Sequence, residues 1–420
     1  MPKIDVKSLV DVDSGLINRA IFSDPEIYEQ ELEHIFARCW LYLGHESQLA
    51  SPGDFITTYM GEDPVLLCRG EDGRIRAFLN TCRHRGNRVC RLDHGNSTRF
   101  TCSYHGWTYN NLGDLIGVPS YKEFYFEELD KKQWGLVPVA KVESYKGLVF
   151  GNINPGAPSL REFLGDMAWC LDVVLDRREG GTEVLGGVHK WIIEANWKVA
   201  AENFAGDAYH VALTHGSAFR SGFSGAGQGS NYRTGEGFQI SPYNGHGMGS
   251  RLVGTETLPS AYSEEKIRSY VLETHPEMER RLGAVRSRMS LVHGTVFPNF
   301  SLLSVSNTIR VWHPKGPEKF EVWAWCIVDK EAPAEIKDAL RLQYLRRFSP
   351  GGTLEQDDSE NWVQVTQSGR GVACRRIPLN YQMGLGHEGG HSDLPGRVGP
   401  WESDTNQRSF YRHWAELMSA

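Results

Sequence analysis

Apolar positions along the chain recur with two different periods. In residues 24–38, DPEIYEQELEHIFAR, an Asp-Pro start precedes Ile27, Leu32 and Ile35 at helical spacing, which predicts a helix. Residues 55–59, 64–68, 75–79 and 148–152 are short apolar runs bounded by turn residues, and they predict strands. The stretch Asn154-Pro-Gly-Ala-Pro-Ser then reads as a boundary. Beyond it the pattern is mixed: a strand at 191–194, a single helix over 196–215, and another helix over 262–282. Residues 216–254 are rich in glycine and predict mobile loops rather than a packed element. Runs at 301–312 and 320–328 predict adjacent strands. Residues 334–348, with Ile336, Leu340, Tyr344 and Leu345 on one side, predict an amphipathic helix.

This order gives an α+β fold, with strands clustered and helices flanking them. An N-terminal helical segment, 1–39, packs on the larger domain. A small antiparallel β domain spans 40–155, and the larger domain, with an antiparallel sheet flanked by helices, spans 156–420. A length of 420 residues suits two or three such domains. With 40% hydrophobic and 23% charged residues the chain reads as soluble and globular. A net charge of −7 and the lack of a basic tract exclude nucleic-acid binding. The 8 cysteines are scattered without a disulfide framework, which predicts a reducing, cytoplasmic setting. The first residues lack the apolar core of a signal peptide, and no run reaches membrane-spanning length.

Chemistry concentrates in the stretch TCRHRGNRVCRLDHGNSTRFTCSYHGW. It holds Cys82-x-His84 and Cys102-x-x-His105, with 17 residues between the pairs. Two thiolates and two imidazoles suit a tetrahedral zinc, or a [2Fe–2S] cluster with both sulfurs on one iron and both imidazoles on the other. Zinc sites of this composition usually run Cys-Cys and then His-His. Here each short loop supplies one sulfur and one nitrogen, which favours the cluster, and the loops resemble those of Rieske proteins. Arg83, Arg85 and Arg88 flank them and either favour a reduced, more negative cluster or face solvent.

A second constellation lies in AENFAGDAYHVALTH, which places Glu202, Asp207, His210 and His215 in a helical context. Histidines five apart on an ideal helix lie about 140° apart, so one metal can be shared only if the helix loosens between them. A triad of two histidines and a carboxylate holds non-haem ferrous iron with open positions. Its acid would come from Glu355-Gln-Asp-Asp-Ser-Glu, a run that by itself reads as a solvated loop. Sequence physics leaves Asp357 and Asp358 open as the ligand.

Taken together, the cluster loops, ENFAGDAYHVALTH, HGTVFPNFSLL and FSPGGTLEQDDSENW resemble the large (α) subunit of Rieske non-haem iron aromatic ring-hydroxylating dioxygenases. The resemblance spans the chain and is closest to the naphthalene and biphenyl dioxygenase branch. It implies a Rieske [2Fe–2S] cluster on Cys82, His84, Cys102 and His105. It implies a mononuclear Fe²⁺ on His210, His215 and Asp358, with Asp207 linking the two centres between subunits and Asn203 beside it. The implied pocket wall is Phe204, Val211, His293, Leu303, Phe348 and Leu354. The implied activity is cis-dihydroxylation of a neutral, polycyclic or biaryl hydrocarbon with O₂. Electrons come from NAD(P)H through a separate ferredoxin or reductase, because Gly384-x-Gly386-x-x-Gly389 lacks the context of a nucleotide site. A small β subunit in an α₃β₃ assembly, or α₃ alone, is implied as well.

Three other readings differ in what they require. A Rieske monooxygenase, demethylase or dioxygenase acting on an aromatic acid such as salicylate, benzoate or terephthalate calls for a basic residue at the pocket. None of Asn203, Phe204, Val211, Leu303, Phe348 and Leu354 is basic, which favours a neutral arene. A pure electron carrier would not need the second ligand set, and a zinc-stabilised binding protein would be colourless.

Overall fold

The structure, a computed structural model, describes residues 5–222 and 236–420. Two compact units emerge, 36–160 and 1–35 together with 161–420. The N-terminal residues therefore belong with the larger unit, and the divisions fall at 36 and 160 rather than at 40 and 155. The architecture is α+β, as the hydrophobic pattern predicts.

The smaller unit is built from three antiparallel sheets. Ile75–Leu79, Asp63–Arg69, Asp54–Met60 and His94–Asn96 form one, in that order. Leu115–Gly117, Thr108–Asn110 and Arg99–Thr101 form the second, and Lys141–Tyr145, Leu148–Asn152 and Leu41–His45 the third. Phe55, Leu66, Phe78, Phe100, Trp107 and Tyr109 make a core that also takes in Cys82 and Cys102.

In the larger unit the described strands form an antiparallel sheet of eight. Their order is Thr182–Ile193, Phe320–Asp329, Thr308–Pro314, Phe300–Leu303, Met289–Val296, Gly247–Leu252, Glu236–Ser241 and Arg397–Pro400. The helix Trp197–Gly206 lies on this sheet, where Thr295 Oγ1 donates to the Ala201 carbonyl at 2.7 Å. The helix starts on an Asn196 cap, whose side chain accepts from the Lys198 amide. Lys198 is fully buried, and its Nζ reaches Glu31 Oε1 at 2.6 Å. Glu31 also accepts from the indoles of Trp197 at 2.9 Å and Trp414 at 2.7 Å. Removing one partner of a buried pair strands the other charge. Glu31→Ala should therefore cost about 3–5 kcal/mol of stability. A urea titration followed by tryptophan fluorescence measures it, and a loss below about 1 kcal/mol would mean that Lys198 finds another partner or loses its proton on burial.

Several local expectations need correction. The helix expected over 196–215 stops at Gly206, where Asp207 leaves the helical region at φ −80°, ψ 88°. A separate short helix, Val211–Thr214, follows. The run 301–312 is two strands, split by a turn at Ser304–Ser306 and by Asn307 in the left-handed region at φ 52°. The helix expected over 262–282 runs Glu265–Arg286. The acidic run is not a loop, because it opens the helix Thr353–Ser368.

The glycine-rich stretch contains a helix, Gly216–Ser221, and the strands Glu236–Ser241 and Gly247–Leu252. Residues 223–235 of the stretch lie outside the described residues. Glycine serves close approach there, since a Cβ on Gly249 would sit 2.2 Å from His293 Nε2.

Candidate active site

The two cluster loops fold into the same closed turn. The Cys82 carbonyl accepts from Gly86 N at 2.9 Å, and the Cys102 carbonyl accepts from Gly106 N at 2.9 Å. The amide of Cys82 donates to Asn87 O and that of Cys102 to Trp107 O, both at 2.8 Å. Gly86 and Gly106 close the turns at φ 73° and 75°, a region where a side chain would be strained. Both cysteines are buried and both histidines half-buried, with ring centroids 4.5 Å apart. His84 stacks on Trp107 at 5.1 Å.

Tyr109 Oη lies 3.4 Å from Cys82 Sγ, and Asn87 Nδ2 donates to Cys102 Sγ at 3.5 Å. Burial opposes ionisation of Cys102. The amides of Tyr104 and His105, with the side chains of Asn87 and Cys82, outweigh it and hold the thiol below its ordinary value. Thiolate-favouring loops of this kind fit a metal–sulfur group. One sulfur and one imidazole from each of two matching loops suit a [2Fe–2S] cluster with the sulfurs on one iron and the imidazoles on the other. Arg83 lies over the Trp134 ring and Arg88 over Tyr59, whereas Arg85 is exposed.

His210, His215 and Asp358 place one ligand atom each within 4.8 Å of one another. The two Nε2 atoms each lie 3.3 Å from Asp358 Oδ1, which is buried with no hydrogen-bond partner. An unsatisfied carboxylate oxygen facing two imidazole nitrogens is the donor set of a 2-His-1-carboxylate iron site. The helix Trp197–Gly206 ends before both histidines, which cap the two ends of the separate short helix Val211–Thr214, with His215 leaving helical geometry at φ −94°, ψ 8°.

Asp358 is aimed by a buried ion pair one turn earlier on its own helix. Arg310 on the sheet holds Glu355 Oε2 at 2.6 Å and donates to the Phe348 carbonyl at 3.1 Å. Positions three apart share a helix face, so Asp358 points inward with Glu355. Asp357 points away and meets the other nitrogen of His215, with Oδ2 3.2 Å from Nδ1. Asp207 does the same for His210, with Oδ2 3.3 Å from Nδ1. Each imidazole is thus held between two carboxylates, a common way to fix ring orientation. Burial would raise the Asp358 carboxyl, but the His215 and His210 imidazoles outweigh it and hold the group ionised. Asn203 Nδ2 donates to Asp207 Oδ2 at 3.3 Å.

His210, His215 and Asp358 border a cavity of about 170 Å³. A cavity of roughly 150 Å³ takes benzene, so this one has room for an aromatic ring. Every residue of the expected wall borders it: Phe204, Val211, His293, Leu303, Phe348 and Leu354, with Asn203 and Asp207. Phe204 packs edge-on to Phe348 at 6.0 Å and to Trp312 at 5.2 Å. Sequence reasoning missed Arg251, Arg347 and Trp401 in the lining. Arg251 was hidden in the glycine-rich stretch, and Arg347 ends an amphipathic helix whose period does not reveal which arginine turns inward.

Fold and site together define a two-centre oxygenase. Residues 39–145 match the Rieske [2Fe-2S] domain, and residues 168–420 match the ring hydroxylating alpha subunit (catalytic domain). The chain belongs to the aromatic ring-hydroxylating dioxygenase α subunits. It is 44% identical to the chlorobenzene dioxygenase α subunit of Cupriavidus sp., over 99% of this chain and 94% of that protein. It is 44% identical to the biphenyl 2,3-dioxygenase α subunit of Rhodococcus jostii, over 99% and 92%. The naphthalene 1,2-dioxygenase large oxygenase component of Pseudomonas aeruginosa is 41% identical, over 99% and 94%. The structure superposes on naphthalene 1,2-dioxygenase with indole bound in the active site at a TM-score of 0.92. Sequence identity there is 38%, over 98% of this chain and 94% of that one. The enzyme is therefore an oxidoreductase of the dioxygenase type that carries a Rieske [2Fe–2S] cluster and a mononuclear iron. Among the described residues no helix is long and apolar enough to cross a membrane.

Proposed function

We propose that Cys82, His84, Cys102 and His105 hold the cluster and that His210, His215 and Asp358 hold the iron. The reaction is cis-dihydroxylation of an apolar aromatic ring of naphthalene, biphenyl or benzene type. The observation that carries this reading is the meeting of both Nε2 atoms on Asp358 Oδ1, in the wall of an arene-sized aromatic cavity. Relatives named for chlorobenzene, biphenyl and naphthalene support the substrate class.

Ferrous iron bound at this triad supplies the means of activating dioxygen, with electrons delivered through the cluster. In the net reaction the O–O bond breaks and two C–O bonds form on adjacent ring carbons, with two electrons and one proton from NAD(P)H and a second proton from solvent completing the balance. The chain's own contribution is positional. Asp207 and Asp357 hold the imidazoles so that Nε2 faces inward. Phe204, Phe348, Leu303 and Leu354 fix the ring plane and exclude water. Electrons reach the chain from a separate ferredoxin or reductase. Asp207 connects to a cluster histidine, His84 or His105, of a neighbouring copy in a trimer of α subunits, completed by a small β subunit. In keeping with this, the Asp207 side chain is 32% exposed, while Asp358 is 3% exposed.

The wall makes one test direct. Phe348→Val or Leu354→Trp should change which ring carbons are hydroxylated and leave iron content as in the wild type. Product analysis by chromatography, beside metal analysis, reads both. Unchanged regiochemistry in both variants would remove these residues from the ring-binding wall.

A further inference from the structure

The sulfurs of Cys82 and Cys102 each meet a side-chain hydrogen-bond donor, and the two donors are held differently. Tyr109 Oη accepts from the Arg83 amide at 3.1 Å, which leaves its own proton for Cys82 Sγ at 3.4 Å. Cys102 is served by Asn87, whose Nδ2 lies 3.5 Å from Sγ and 3.3 Å from Ser103 Oγ. The backbone of Asn87 meanwhile closes the first loop, its carbonyl accepting from the Cys82 amide at 2.8 Å. One residue thus belongs to the first loop by its backbone and reaches the second by its side chain.

The orientation of the Asn87 amide is fixed from outside. Arg91 Nη2 donates to its Oδ1 at 3.1 Å. A guanidinium can only donate, so the amide atom facing Arg91 is the oxygen and the one facing the sulfur is the NH₂ nitrogen. Arg91 is exposed, Asn87 is half-buried and Cys102 is buried. The amide dipole therefore runs from a solvent-facing cation to a buried sulfur, with its positive end inward. Reduction brings one electron, taken from the external carrier, and with it one negative charge to the cluster these sulfurs ligate. An N–H aimed at a ligating sulfur stabilises that added charge, and such bonds are one lever on the potential of iron–sulfur clusters.

We propose that Asn87, aimed by Arg91, raises the reduction potential of the cluster through its N–H bond to Cys102 Sγ. The pair sets how readily the cluster accepts an electron from the carrier and how strongly it drives that electron on to the iron. This inference rests on the reading of Cys82 and Cys102 as the sulfur ligands of the cluster.

The test is the midpoint potential of the fully loaded α protein, measured by mediated redox titration of the cluster's visible spectrum at one fixed pH. Asn87→Leu removes the donor at nearly constant volume. It should move the one-electron equilibrium roughly threefold to tenfold toward the oxidised form, a fall of about 30–60 mV. Arg91→Met should lower the midpoint in the wild-type background and leave it nearly unchanged in Asn87→Leu, because residues that act through one another are not additive. The titration reads only protein that carries the cluster, so incomplete loading does not shift the midpoint, and Asn87→Ala serves where the leucine variant loads poorly. A wild-type midpoint in the Asn87 variants would overturn the proposal. No fall for Arg91→Met, or an equal fall in both backgrounds, would overturn the part played by Arg91 in aiming the amide. An unchanged cluster spectrum in Cys102→Ser would instead overturn the reading of that sulfur as a ligand, and this inference with it.

Discussion

Asp358→Ala protein is expected to purify with its cluster iron and acid-labile sulfide intact and its mononuclear iron gone. The reason is geometric. Asp358 Oδ1 is the atom on which both imidazoles converge, and among the described residues no other carboxylate oxygen stands 3.3 Å from both Nε2 atoms. Changing a residue that only orients a ligand costs roughly 10- to 100-fold in metal affinity or activity, and deleting the ligand exceeds that. Asp357→Ala is the informative companion. It removes the partner of His215 Nδ1 and leaves the triad itself in place, so its iron should be retained and bind more weakly. Iron and sulfide analysis with the cluster's visible spectrum reads both variants. Retention of the single iron in Asp358→Ala, with loss in Asp357→Ala, would exchange the roles of the two acids.

The second large effect belongs to Asp207. Within its own chain it accepts from the His210 amide at 3.2 Å and from Asn203 at 3.3 Å, and it sits 3.3 Å from His210 Nδ1. Its exposed face leaves it able to accept a further bond from a neighbouring copy. Asp207→Ala should bind both metals and take up an electron from dithionite at the normal rate. Reoxidation of its prereduced cluster by O₂ and substrate should slow on the order of 10- to 100-fold. Asp207→Asn keeps the shape of the contact and should lie between the two. Rapid-mixing absorbance at the cluster band measures this step. Wild-type reoxidation in the alanine variant would take Asp207 off the electron path and remove the functional case for the trimer.

How much of this the sequence discloses depends on how local each signal is. The cluster loops are legible because two ligand pairs, their glycines and their spacing all fall within one short stretch. The helical setting of His210 and His215 is legible, but the break at Asp207 is not. Apolar periodicity runs on through Ala208 and Val211, while the helix ends at Gly206 and the Asp207 carboxylate accepts from the His210 amide. Asp357 and Asp358 are adjacent, and adjacent positions on a helix point about 100° apart. Choosing between them needs the Arg310–Glu355 pair that fixes the helix face, and that pair joins residues far apart in sequence. Arg251 is hidden for a different reason. Glycine at 247 and 249 suggests a loose loop, whereas the strand uses those glycines to pass close to the Asn406 and His293 side chains.

Single-turnover oxidation of naphthalene by the prereduced, fully loaded α protein under isotopically labelled dioxygen tests the central claim most directly. Mass spectrometry should find a cis-dihydrodiol carrying both labelled oxygen atoms, formed by the wild type and absent with Asp358→Ala. A product carrying one labelled atom, or a dihydrodiol formed equally well by Asp358→Ala, would contradict the assignment of this site as the place where the ring is dihydroxylated.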